Sequence, residues 1–185
     1  MWLAVQGRLP TLDRRSMARF DNVCALCNVN PESHSHLFFS CEYTSPIWTF
    51  FKAKCKISIT ALTWPEIASV FSIQWSSPSP WNLLRKLCLA TLVYHIWEER
   101  NTRIFRGSKL SQNSIRARIY HTITSIMKLG IFRDSITAHH ILKDWDLSPS
   151  CCRPPPRPPD RRFEALSFNR CKSQSPDVYQ TTING

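Results

Sequence analysis

The stretch DNVCALCNVNPESHSHLFFSC, residues 21–41, decides how this chain is read. It carries Cys24-x2-Cys27-x8-His36-x4-Cys41, four soft or borderline donors within a short span. Zinc takes four nitrogen or sulfur ligands at tetrahedral corners, and Cys-x2-Cys lets two thiolates reach one ion. The spacer holds Asn28, Asn30, Pro31 and Ser33, residues that turn the backbone, so it can fold the chain back to the metal. After His36 comes the apolar run Leu37-Phe38-Phe39, suited to a short packed element before Cys41. His34 offers a second imidazole. We read His36 as the ligand and His34 as a residue beside the site or in solvent. Thiol–disulfide exchange is disfavoured, because Asn28-Val29-Asn30-Pro31 follows the cysteine pair where a redox motif opens a helix.

Outward from this stretch, the residues resemble those of a known family. Trp2-Leu3, then Leu9-Pro10-Thr11-Leu12-Asp13-Arg14, then Cys24 and Cys27, Glu32 with His36-Leu37-Phe38, Cys41 and Trp48 follow one ordered pattern. Over residues 2–50 this resembles the zinc-binding domain at the C-terminus of plant LINE-type, non-LTR retrotransposon reverse transcriptases. The resemblance implies one structural Zn2+, no catalysis by this domain, and a start partway into it. Ile96-Trp97-Glu98-Glu99-Arg100-Asn101 with Phe105 looks like a segment that follows the zinc domain in such proteins.

Composition narrows the remaining functions. The chain has 185 residues, 43% hydrophobic and 20% charged, enough apolar material for a core. Its four glycines (Gly7, Gly107, Gly130, Gly185) stand alone, so no phosphate-cradling glycine loop can be written. The 13 acidic residues are scattered, and Glu98-Glu99, the one adjacent pair, reads as a solvated helix face. No carboxylate cluster for Mg2+ exists, no nucleophile motif occurs, and a Cys3His site leaves no position open for substrate. No small-molecule substrate is evident. The reading is a protein that is not an enzyme.

Net charge is +11, which suits an anionic partner. Candidate contacts to RNA or single-stranded DNA are Arg100, Arg103, Arg106, Arg116 and Arg118, with Trp97 and Phe105 adjacent for stacking. The competing reading is a zinc-stabilised protein–protein interaction module, or a decayed remnant with no activity. The most apolar run, Leu87–Trp97, is too short to span a bilayer, which needs about 20 residues. The N-terminus lacks the pattern of a secretory signal, so a nuclear or cytoplasmic location is expected, with reduced thiols.

The expected fold is mainly α. Residues 1–56 form the zinc module, 57–80 a linker with a short helix, 81–147 a helical segment, and 148–185 a disordered Pro-rich basic tail. Within these, Leu9–Phe20, Pro46–Cys55 and Trp64–Phe71 read as short helices. The Ser76–Pro80 cluster breaks the chain. Trp81–Arg106 is a long helix, and Ser114–Leu129 is amphipathic, with Ile115, Ile119, Ile123, Ile126 and Met127 on one face. These two pack antiparallel across the Gly107 turn, and Ile136–Trp145 adds a last turn or two. Cys88 belongs to the core and Cys55 ends a helix. Cys151-Cys152 lacks nearby partners for a second metal site, and Cys171 lies in the tail.

Overall fold

The computed structural model describes residues 8–14, 22–60 and 63–154, all of which fall in one compact unit ending at Pro154. Five α-helices run through the described residues: α1 (Ser45–Lys54), α2 (Trp64–Ile73), α3 (Pro80–Arg106), α4 (Gln112–Lys128) and α5 (Ile136–Asp144). No strand occurs among them, only two isolated bridges, Val23 with Pro31 and Arg133 with Arg153. Of the expected helix at Leu9–Phe20, a single 3-10 turn, Leu12–Arg14, is seen; residues 15–20 lie outside the described residues.

Each helix starts where the sequence supplies a local partner for a free N–H group or, at α1, removes one. Pro46 occupies the first turn of α1, where a missing donor costs nothing. The Glu66 carboxylate accepts a hydrogen bond from the Thr63 N–H at 3.2 Å at the head of α2. Ser79, Ser111 and Ser135 each accept a backbone N–H three residues on, opening α3, α4 and α5. Stopping α3 falls to Gly107, at φ 66°, a left-handed position that a side chain enters only with strain. The Ser76–Pro80 cluster separates α2 from α3, as its proline and serine content predicts.

The long pair follows from periodicity. Leu84, Cys88, Leu92 and Ile96 recur every four residues on α3 and are buried; Ile115, Ile119, Ile123 and Met127 do the same on α4. Two rows of i, i+4 side chains interdigitate, and α3 and α4 pack along each other. His95 Nε2 meets Thr122 Oγ1 at 3.0 Å midway along the pair, while Leu110 N–H donates to Glu99 Oε1 at 2.9 Å near the turn. That register is antiparallel. α5 covers the pair, burying Ala138, Ile141 and Leu142, and Trp145 just beyond it stacks on Tyr120 at 5.1 Å.

One boundary needs correcting. Residues 148–154 were expected in the tail, yet they are part of the fold. Pro149–Cys151 forms a 3-10 turn, and Arg153 exchanges hydrogen bonds with the 132–134 backbone (Arg153 N–H to Phe132 O at 2.7 Å; Asp134 N–H to Arg153 O at 3.1 Å). Pro154, the last described residue, opens a proline run in the sequence and itself offers no backbone donor. Residues 155–185 lie outside the described residues.

Candidate metal centre

The metal-site geometry starts in the turn after Cys24. The Cys24 N–H donates to Asn30 O, and the Asn28 N–H donates to Cys24 O, both at 2.8 Å. Asn28 takes φ 56°, which asparagine tolerates better than most side chains. This tight turn brings both cysteines to one side, and the Leu26 N–H points at Cys24 Sγ from 3.4 Å. The second pair of donors comes from His36–Ser40, a π-helical turn closed by the Cys41 N–H on His36 O at 2.8 Å. The wider turn sets residues five apart over one another, so His36 and Cys41 approach the same point. Leu37, Phe38 and Phe39 in the turn are fully buried; Phe39 stacks on Trp64 at 5.7 Å and meets Trp48 at 5.2 Å.

Cys24, Cys27, His36 and Cys41 thus place four ligand atoms within 4.8 Å of one another. A tetrahedron with Zn–S near 2.3 Å and Zn–N near 2.0 Å separates two sulfurs by roughly 3.8 Å and sulfur from nitrogen by roughly 3.5 Å. Cys24 Sγ lies 3.9 Å from Cys41 Sγ, and Cys27 Sγ lies 3.4 Å from His36 Nε2. The donor set fits one zinc ion. Burial pushes the His36 imidazole below its ordinary value, favouring the neutral ring that a metal requires. The Cys24 thiol is pushed strongly up, first by sharing its hydrogen bond with Cys41 and then by burial, while the same contact holds Cys41 down.

Residues 1–48 match the model of the family described as zinc-binding in reverse transcriptase. This stretch resembles a reverse-transcriptase-type zinc-binding domain. Three thiolates and an imidazole would fill all four corners around one zinc ion, the closed set of a structural site, with no position left for substrate. Searches of the curated proteins and of the solved structures return no match.

His34 is excluded from the zinc-binding domain's donor set and is not in solvent. It is 6% exposed, its Nδ1 lies 3.3 Å from Thr11 Oγ1, and its ring packs against Phe38 and Trp64. With one residue between them at the start of the π-helical turn, the two imidazoles point in different directions. His36 joins the cysteine cluster and His34 the core.

Two of the arginines expected to face nucleic acid are instead built into the domain's seat. Arg100 is 1% exposed and holds Glu32 with two bonds, Nη2 to Oε1 at 2.8 Å and Nε to Oε2 at 3.2 Å. Glu32 Oε1 also accepts the Leu12 N–H at 2.9 Å, so the carboxylate ties the first described segment to α3. Arg103 donates to Leu26 O, inside the Cys24–Cys27 turn, at 2.7 Å, and to Glu99 Oε1 at the same distance. It lies 4.2 Å from the centre of the Tyr43 ring, whose hydroxyl donates to Leu110 O at 2.8 Å. Burial, with the nearby Glu99 charge, pushes that hydroxyl up to about 12, so it stays protonated as donor. Glu99, expected on a solvated face, is 2% exposed and pairs inward. The i, i+4 spacing of Glu99 and Arg103 permits their pairing but does not show that it is buried, and nothing local links Arg100 to Glu32, 68 residues away. Arg106, Arg116 and Arg118 are exposed. Trp97 is half-buried under Arg100 at 4.9 Å, while Phe105 is 70% exposed.

Among the described residues, no helix is long and apolar enough to cross a membrane.

Proposed function

We propose that this chain is the non-catalytic, zinc-bearing part of a plant retrotransposon product, and that it binds RNA or single-stranded DNA weakly and without strong sequence preference. The observation that carries the reading is a row of cations lying over partly exposed aromatic rings where α1, α3 and α4 meet. Arg116 lies 5.2 Å from the Phe50 ring centre, Lys54 is 5.6 Å from that of Tyr120, and Lys56 is 4.5 Å from that of Trp81. Phe50 and Lys54 are one turn apart on α1, as are Arg116 and Tyr120 on α4, so the two pairs align along the helix contact. Such a surface offers charge to phosphates and ring faces to unstacked bases. The family match supports the same reading, since a zinc-binding accessory of a reverse transcriptase works beside nucleic acid. With Arg100 and Arg103 committed to the domain's seat, Arg106, Arg116 and Arg118 are the exposed arginines of the original candidates, while Lys54 donates to Asp144 O at 2.6 Å and Lys56 pairs with the Asp144 carboxylate at 3.4 Å.

The test is binding of the full chain to single-stranded RNA across a salt series. The expected result is retention at low salt, lost steeply by moderate salt. Reversing Arg116 and Lys56 to glutamate should flatten the log–log salt slope by about 0.7 for each single-strand phosphate that is no longer neutralised. Absence of binding at every salt concentration overturns the reading. The exposed Ile104 and Phe105 at the end of α3 would then favour the protein-binding alternative.

A further inference from the structure

We propose that Asp134, His139 and Cys152 form a second, weaker site for a divalent transition-metal ion such as Zn2+, at the root of the proline-rich segment. Their ligand atoms lie within 4.8 Å of one another, although Cys152 comes from a different piece of chain than Asp134 and His139. The sequence hides this site because Cys152 has no donor near it along the chain; the fold supplies the partners.

The backbone builds the arrangement. Hydrogen bonds between residues 132–134 and Arg153 lay the two segments side by side, which puts Asp134 next to Cys152. Gly130 makes room for the returning chain: a Cβ there would sit 3.5 Å from Cys151 O. Ser135 then caps α5, and the first turn of that helix carries His139 back over Asp134. His139 Nε2 lies 2.6 Å from Asp134 Oδ1. Both side chains are about half exposed, at 43% and 51%, so an ion reaches them from solvent without unfolding.

The donor chemistry selects the ion. One thiolate, one imidazole and one carboxylate suit a borderline cation of the zinc type better than Mg2+ or Ca2+, which prefer all-oxygen shells. Three protein donors leave a fourth position to water, the pattern of an exchangeable site. Seating the ion opens the His139–Asp134 approach from 2.6 Å to roughly 3.3 Å, a small adjustment for exposed side chains. Binding replaces the Cys152 thiol proton, which passes to solvent, with the metal. The bound ion would pin the turn Pro149–Cys151 to the start of α5.

The experiment counts zinc per chain in the full-length protein by native mass spectrometry, at a series of buffered free-zinc concentrations. Two ions at micromolar free zinc and one at low nanomolar are expected. His139→Ala and Cys152→Ser should each hold one ion throughout, with unchanged circular dichroism, and Asp134→Asn should need about tenfold more zinc for the second. Cys151→Ser should keep both ions. The proposal is overturned by a wild-type count that never exceeds one and is unaffected by His139→Ala and Cys152→Ser. It is also overturned by a second ion that survives both of those variants, which would leave the His139–Asp134 contact an ion pair alone. Cys41→Ser removes the other ion, so failure at the Cys3His cluster is read separately.

Discussion

Between Cys24 and Cys41, the backbone takes tight turns and one π-helical turn, and four donor atoms set where those turns end. Between Pro80 and Lys128, two long helices meet through side chains repeating every four residues, with Leu84 to Ile96 facing Ile115 to Met127. The first region is organised by a point and the second by a line. Short turns bury few groups each, so their order depends on the ion that joins them; a helix pair spreads its stabilisation over many side chains. The two regions are joined by charge. Arg100 and Arg103, both on the long helix, reach Glu32 and Leu26 O in the knuckle. Changes on either side of that clasp should therefore produce different signatures.

Removing a metal ligand has the largest expected effect. Cys41→Ser or His36→Ala should release the ion and, because structural zinc contributes on the order of 10 kcal/mol to folding small sites, melt the knuckle. Hydrogen exchange should then show reduced protection over residues 22–55 while α3 and α4 keep theirs. Uniform loss through all helices would show that the regions do not order separately. Next comes the clasp. Glu32→Gln strands Arg100 in a buried position and should cost about 3–5 kcal/mol, read as a lower denaturation midpoint with zinc still bound. Replacing both partners, Glu32→Leu with Arg100→Met, should recover much of that stability, since a buried ion pair adds little over apolar side chains of similar size. No recovery in the double variant would mean the pair is irreplaceable.

In the helix pair, Ile119→Ala opens a hole at a fully buried position and should cost about 2–5 kcal/mol, with zinc content unchanged. A fall in zinc content there would show that the line of packed side chains supports the point. His34→Ala should keep its metal and cost about 2 kcal/mol through its packing on Phe38 and Trp64; metal loss would reassign the ligand. Gly107→Ala is the mildest change. No atom obstructs a Cβ there, so the left-handed φ alone costs about 1 kcal/mol, seen as a small shift in melting temperature.

Much of this was legible in the chain itself. The ligand set rests on residue type and spacing, and local chemistry opened the helices: Pro46, Ser79, Ser111 and Gly107 stand where the ends fall. The isoleucine stripe of α4 shows its buried face directly. Arginine assignments fared worse. Charge at helical spacing looks the same in solvent as against a buried carboxylate, and Glu32 lies 68 residues from Arg100.

The sequence by itself therefore determined the Cys3His donor set, the helical class and the positions of the breaks, because each depends on residue types and spacings within one short stretch of chain. Tertiary structure decided which basic residues serve the surface, where His34 goes, and that Asp134, His139 and Cys152 share one corner. Those outcomes depend on which distant side chains and backbone groups occupy the same low-dielectric space, and no local pattern encodes that.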